Sequence, residues 1–289
     1  QRRGGKGLSG MQTKDEDVVT TLFVANTHTQ LLFFTTDGMA YKLKTWRLPQ
    51  CARVAKGKAI VNILPIPQGA SIAAIMPVDA PEEDWDNLQI IFATSAGDVR
   101  RNALSDFTNV RANGKIAMDL PENVKLVNVR VATEYDDVML VTNSGRAIRF
   151  ASKDIRVFKG RKSTGVRGIK LTGDDCVVSM SVIRHFVAST DERTAYLKMR
   201  RAVAGMIEED QASDEDESNP NATISPERYA EMSAAENLIL TISASGSGKL
   251  SSSHDYPVRG RGGMGVTAMD KAMRGGDLVA SFPVELDDQ

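Results

Sequence analysis

Three cations and three glycines share the first seven residues, Gln1-Arg2-Arg3-Gly4-Gly5-Lys6-Gly7. Glycine removes the side chain and lets backbone N–H groups approach an anion, while Arg adds a bidentate fork for phosphate and Lys a compact charge. That combination suits a polyphosphate. Cations gather in four further clusters: Arg53, Lys56 and Lys58; Arg111 and Lys115; Lys159, Arg161, Lys162 and Arg167; Arg259 and Arg261. Groups for covalent or metal chemistry are scarce. His28, His185 and His254 lie far apart, without Cys or carboxylate at ligand spacing, and no metal site is expected. Cys51 and Cys176 fit neither a disulfide framework nor a metal motif and are expected to be buried free thiols.

Two segments imitate nucleotide-binding loops. Gly260-Arg261-Gly262-Gly263-Met264-Gly265 satisfies G-x-G-x-x-G, yet Tyr256-Pro257-Val258-Arg259 precedes it where a buried parallel strand is required. Gly246-Ser247-Gly248-Lys249 has Ser243 in place of the first phosphate-loop glycine and Leu250 where Ser or Thr must follow Lys. Neither is expected to hold a nucleotide.

A repeat organises the cation clusters. Each unit has an apolar run, a turn ending in glycine, a second run, a polar stretch, and another glycine leading a further apolar run. The paired glycines are Gly38 and Gly57, Gly97 and Gly114, Gly145 and Gly165, Gly248 and Gly265, separated by 19, 17, 20 and 17 residues. Gly7 precedes Gly57 by 50 residues and so occupies the second-glycine slot. The runs are short, rich in Val, Ile and Phe, and joined by hairpin-type turns, which predicts four strands per unit. A period of about 50 residues with four strands indicates propeller-like blades. In a ring, equivalent positions share one rim, so the clusters form a basic belt able to bind duplex DNA through its phosphates, without reading sequence and with strong salt dependence.

The net charge of −1 hides an uneven distribution. Ten carboxylates and only Arg228 as a cation lie between Ile207 and Glu236, leaving 35 cations against 27 carboxylates elsewhere. These acids belong to an insertion at 184–236. Ser189-Thr190-Asp191-Glu192 predicts a helix start, with Arg200 and Arg201 near its end; Ser225-Pro226 predicts a second helix. Residues 208–221 are acidic, nearly free of large apolar side chains, and expected to be disordered. Their charge makes them candidate competitors for the belt. No apolar run is long enough to span a membrane, and no signal peptide is visible.

The opening heptapeptide resembles the gyrase box, the signature of the C-terminal domain of the DNA gyrase A protein. Leu22-Phe23-Val24-Ala25-Asn26-Thr27-His28, Gly57-Lys58-Ala59-Ile60-Val61-Asn62-Ile63-Leu64-Pro65 and Thr164-Gly165-Val166-Arg167-Gly168-Ile169 resemble that domain's blades in order. The resemblance implies an all-β fold, the β-pinwheel: a ring of usually six four-stranded blades sharing strands between neighbours. The repeats fall at about 1–17 (partial), 18–79, 88–133, 136–183 and 237–285. It looks like a fragment of that ring, with the strands before Gln1 and a closing repeat missing.

By the same resemblance, the chain wraps double-stranded DNA on its rim and so allows an ATP-dependent type IIA topoisomerase to introduce negative supercoils. The chain itself is expected to be non-catalytic and without cofactor, ATP and Mg belonging to other parts of the holoenzyme. Expected partners are double-stranded DNA and the rest of the gyrase A protein with the gyrase B protein in an A2B2 assembly, in the cytoplasm at the nucleoid and away from membranes. The contacting residues carried over are Gln1, Arg2, Arg3, Gly4, Gly5, Lys6 and Gly7, with the rim cations above. The alternatives are the C-terminal domain of the topoisomerase IV C protein, which lacks an intact box, and a propeller serving as a protein-interaction scaffold.

Overall fold

The computed structural model describes residues 19–52, 55–160, 162–203, 219 and 222–285. The heptapeptide, Arg53, Arg161 and the acidic residues 208–217 lie outside the described residues. In chain order the strands are β1 (Gln30–Thr35), β2 (Met39–Lys44), β3 (Ile72–Val78), β4 (Gln89–Thr94), β5 (Asp98–Ala103), β6 (Lys115–Ile116), β7 (Leu126–Ala132) and β8 (Asp136–Thr142). They continue with β9 (Arg146–Ala151), β10 (Val166–Arg167), β11 (Val177–Arg184), β12 (Leu238–Ser243), β13 (Gly248–Ser252), β14 (Val266–Thr267) and β15 (Leu278–Val284). These make four antiparallel sheets, ordered β3-β1-β2-β6, β10-β5-β4-β7, β11-β8-β9-β14 and β13-β12-β15. The expected all-β pinwheel architecture is present.

The short apolar runs are continuous because the sheets stack and bury both faces of each central strand. Along β4, Ile90 and Phe92 face the first sheet while Ile91 and Ala93 face the third. Strand β8 repeats the division, with Val138 and Leu140 toward the second sheet and Met139 and Val141 toward the fourth. Alternation therefore feeds two cores instead of one core and solvent. Between the first two sheets Phe34, Phe92 and Phe107 meet with ring centroids 5.5–5.8 Å apart. Each such ring contributes about 1.5–3 kcal/mol through burial.

The repeats exchange strands. Strand β6, which follows the second glycine of the second repeat, pairs with β2 of the first. Likewise β10 pairs with β5 and β14 with β9, so each of these sheets is completed by the next repeat. A sequence unit and a blade are thus offset by one strand. The hairpin glycines supply the acceptors that fix the exchange. Gly38 O receives Ala117 N at 2.8 Å, Gly97 O receives Gly168 N at 2.8 Å, and Gly145 O receives Ala268 N at 2.8 Å.

The insertion contributes α1 (Thr190–Val203) and α2 (Pro226–Ala235); a short third helix, α3 (Lys271–Arg274), precedes β15. Ser189 and Glu192 cap α1 reciprocally: Ser189 N donates to Glu192 Oε2 at 2.8 Å and Glu192 N to Ser189 Oγ at 3.2 Å. Ser225 Oγ accepts Arg228 N at the start of α2, with Pro226 at the first helical position. His254, on the turn after β13, joins the helices to the blade. Its Nε2 donates to Met232 O at 2.9 Å, and its ring stands edge-on to Tyr196 and Phe186.

Burial is the main cause holding the His254 imidazole below its ordinary value, with Arg149 adding to it, against the Met232 carbonyl and the charges of Glu236 and Asp255. The unfolded ring therefore binds a proton before the folded one does. Stability from this contact is complete above about pH 6.5 and is lost as pH falls from there through the lower folded value. Amide exchange along α2 is expected to accelerate over that acid range and to become less pH-sensitive in His254→Gln.

Candidate nucleic-acid interface

Strands β3, β7, β11 and β15 pack against one another in sequence, placing one end of every sheet toward a common axis. The opposite ends are β6, β10 and β14. The cationic segments lead directly into these outer strands. Residues 109–115 run into β6, 157–166 into β10 and 258–266 into β14. The latter two segments begin with parallel bridges, Val157 to Arg101 and Val258 to Arg149, and then cross to the antiparallel outer strand.

Arg111, Lys159, Lys162, Arg167 and Arg261 are exposed on these segments, while Lys115 and Arg259 are half-buried. Lys115 Nζ donates to Asp106 O at 2.6 Å and Asn109 O at 3.0 Å, so it shapes its own loop. Lys56 and Lys58 are exposed on the connection between β2 and β3, apart from these three segments. The second and third segments are joined. Arg261 donates to Asp154 O at 3.0 Å and Arg167 O at 3.1 Å, Gly262 N to Gly168 O at 2.6 Å, and Lys170 N to Gly263 O at 2.8 Å. Cations from two repeats consequently share one continuous edge.

Polar residues, buried at Arg100 and Asn102 and half-buried at Lys42 and Arg146, hold these loops. Arg100, with no exposed surface, donates from Nε to Asn102 Oδ1 at 2.9 Å, from Nη1 to Ser163 O at 2.7 Å, and from Nη2 to Ala117 O. Asn102 Nδ2 donates in turn to Phe158 O at 2.9 Å and Gly160 O at 3.4 Å. In the first sheet Lys42 Nζ reaches Thr108 O and Glu82 Oε1; in the third, Arg146 reaches Gly265 O at 2.8 Å and Met264 O at 3.3 Å. Sequence reasoning missed these supports. Their signal was register: Arg100 pairs with Phe92 at the position where Ile148 pairs with Leu140, a charge where another repeat is apolar.

The G-x-G-x-x-G segment is the rim loop entering β14, followed by a two-residue strand and not by a helix. Gly246-Ser247-Gly248-Lys249 is the β12–β13 hairpin. The cysteines correct the expectation of buried thiols. Cys51 is exposed in the connection after β2, where no strand alternation directs it inward. Cys176 is half-buried just before β11, and burial, then Asp175 and Asp277, push its thiol up.

The family model described as DNA gyrase C-terminal domain, beta-propeller, matches residues 1–26, 29–79, 89–133, 136–184 and 237–282. The chain belongs to that family. The DNA gyrase A protein of Granulibacter bethesdensis is 45% identical over 98% of this chain and 32% of its own length. That of Rickettsia bellii is 41% identical over 100% of this chain and 32% of its own length. The chain thus spans about a third of the curated relatives it matches. Among solved structures, the C-terminal domain of DNA topoisomerase IV aligns with a TM-score of 0.57 at 19% identity, covering 96% of this chain and 85% of that one, a likeness of fold. Family model and curated relatives together favour gyrase over the topoisomerase IV alternative. The matched segments skip 185–236, where α1 and α2 lie.

Proposed function

We propose that this chain binds and wraps double-stranded DNA along its outer edge, as the non-catalytic part of a DNA gyrase that supercoils DNA negatively at the expense of ATP. The observation that carries the reading is the placement of three cation-bearing segments at the outer ends of consecutive sheets, two of them hydrogen-bonded into one edge. Lys and Arg act as phosphate ligands: Arg111, Lys115, Lys159, Lys162, Arg167, Arg259 and Arg261 on or beside these segments and Lys56 and Lys58 on the β2–β3 connection, with Arg53, Arg161 and the heptapeptide from Gln1 to Gly7 completing the set. Bending a duplex around such an edge costs about 1–6 kcal/mol per 20–30 base pairs, so several segments must contribute. The reading places the chain beside the rest of the gyrase A protein and the gyrase B protein in an A2B2 assembly, in the cytoplasm at the nucleoid. ATP and Mg serve those other parts, and this chain needs no cofactor.

The test is duplex binding as salt is raised. A phosphate belt predicts a steep linear fall of log K against log salt, whereas a protein-interaction scaffold predicts weak binding throughout. Replacing both Lys159 and Lys162 by Ala is expected to reduce the slope by about 1.8, two phosphates' share of counterion release. An unchanged slope removes the 157–166 segment from the interface.

A further inference from the structure

Strands β7, β11 and β15 are the inner end strands of the second, third and fourth sheets, and a cavity of about 600 Å³ lies among them. Among the described residues, Arg130 is the one charged group in its lining. The strand pattern directs Arg130 into this space. Along β7, Val129 turns into the core between the first two sheets, so Asn128 and Arg130 share the opposite face. That face looks at β11, because Asn128 Nδ2 donates to Met180 O at 3.3 Å. Register supplies a contrast. Arg130 pairs with Ile91 at the position where Met76 pairs with Leu32 and Ser181 with Met139. Met76 and Ser181 are buried, whereas Arg130 stays accessible.

The guanidinium of Arg130 has neither a hydrogen-bond nor an ion-pair partner among the described residues. Burial pulls it below its ordinary value, and no carboxylate opposes that pull. The hydroxyls nearby are engaged with one another's strands: Ser179 and Ser181 donate to Ser281 O, and Ser281 Oγ meets Thr241 Oγ1 at 3.0 Å. A partly desolvated cation left without a counter-charge is costly, and an anion in the cavity offsets that cost. One guanidinium matches one negative charge, and its fork fits a carboxylate through two parallel bonds. A phosphate dianion brings a second charge that nothing in the lining answers. Val131, Met180, Val182, Phe282 and Pro283 make the other walls apolar, in a cavity sized for a small organic molecule.

We propose that this axial cavity binds a small organic acid, its carboxylate on Arg130 and its apolar body against Met180 and Phe282. The site lies at the opposite ends of the sheets from β10 and β14, so it is separate from the outer edge and does not depend on the rim reading. The ligand touches the inner strands of three sheets at once. It therefore ties the stack together and raises its stability.

The experiment is a calorimetric titration of the 289-residue chain with benzoate. The unaltered chain is expected to bind it saturably, and Arg130→Gln to bind it about ten-fold more weakly or worse, the loss of a hydrogen bond to a charged group. Arg130→Lys keeps the charge without the fork and is expected to fall between the two. Two further probes define the ligand. Benzyl alcohol has the ring without the charge, inorganic phosphate has charge without the ring, and both are expected to bind more weakly than benzoate. Either of them binding as tightly as benzoate overturns the inference. So does benzoate binding that Arg130→Gln leaves undiminished, or no saturable binding by the unaltered chain. The thermal midpoint without ligand separates binding from packing. Arg130→Met removes a cation that has no partner and is expected to hold or raise the midpoint, whereas a lower one marks Arg130 as a packing residue and overturns the assignment.

Discussion

Gly165→Ala is expected to cost about 3 kcal/mol or more of folding stability and to weaken duplex binding with it. Gly165 has φ +97°, and a Cβ placed there stands 2.2 Å from Val99 O and 2.8 Å from Val99 C. Val99 cannot retreat, because it pairs with Ala93 on one side and Val166 on the other. The methyl group must therefore displace β10, the strand that anchors the end of the Lys159–Lys162 segment. Gly69 separates the two causes. It has φ +89° with nothing within 4 Å of an added methyl group, so Gly69→Ala should cost only the left-handed backbone, about 1–2 kcal/mol. Gly265→Ala repeats the severe case, with Ala147 O at 2.2 Å. Urea unfolding of the three variants checks the order, and equal losses at Gly69 and Gly165 contradict the steric argument.

Six of the paired glycines, Gly38, Gly97, Gly114, Gly145, Gly165 and Gly265, made the repeat legible because two demands fall on them at once, a turn conformation and a close approach by neighbouring atoms; in the fourth repeat the turn glycine is Gly246, whose N–H donates to Ser243 O at 3.0 Å, and not Gly248, which already belongs to β13. What their spacing cannot encode is which strand each one meets. The strand after Gly165 looks the same in sequence whether it closes its own blade or the one before, and only the acceptor at Gly97 O settles which. The two helices of the insertion were legible for a different reason, since Ser189 with Glu192 and Ser225 with Pro226 are local signals that need no distant partner. Charge was the least reliable guide to placement. Arg100, Arg101 and Arg149 lie in strands buried on both faces, whereas Arg261, in the loop before the two-residue edge strand β14, is exposed. A cation's side of the sheet follows from which sheets stack, and that is set by long-range packing.

Asp137→Ala tests the deepest of these buried charges and is expected to cost about 3–5 kcal/mol, the range for removing one partner of a buried ion pair. Asp137 has no exposed side-chain surface and Arg149 only 2%, so neither group exchanges its partner for water. Burial already pushes the Arg149 guanidinium down while Asp137 raises it, and the substitution leaves desolvation opposed by no paired carboxylate. His185 loses its acceptor in the same step, loosening the chain where β11 hands over to the insertion. Pairing Asp137→Leu with Arg149→Met removes both charges and is expected to cost less than Asp137→Ala alone, leaving the unsatisfied carbonyls of Ser253 and Arg184 as the remaining penalty. The two kinds of variant also divide at the rim. Arg149 O still receives Arg259 N when both side chains are apolar, whereas an unpaired Arg149 must shift to find solvent and carries that strand edge with it. Duplex affinity should therefore fall further in Asp137→Ala than in the double variant, and the opposite order would show that Arg149 acts through its charge and not through the backbone it holds.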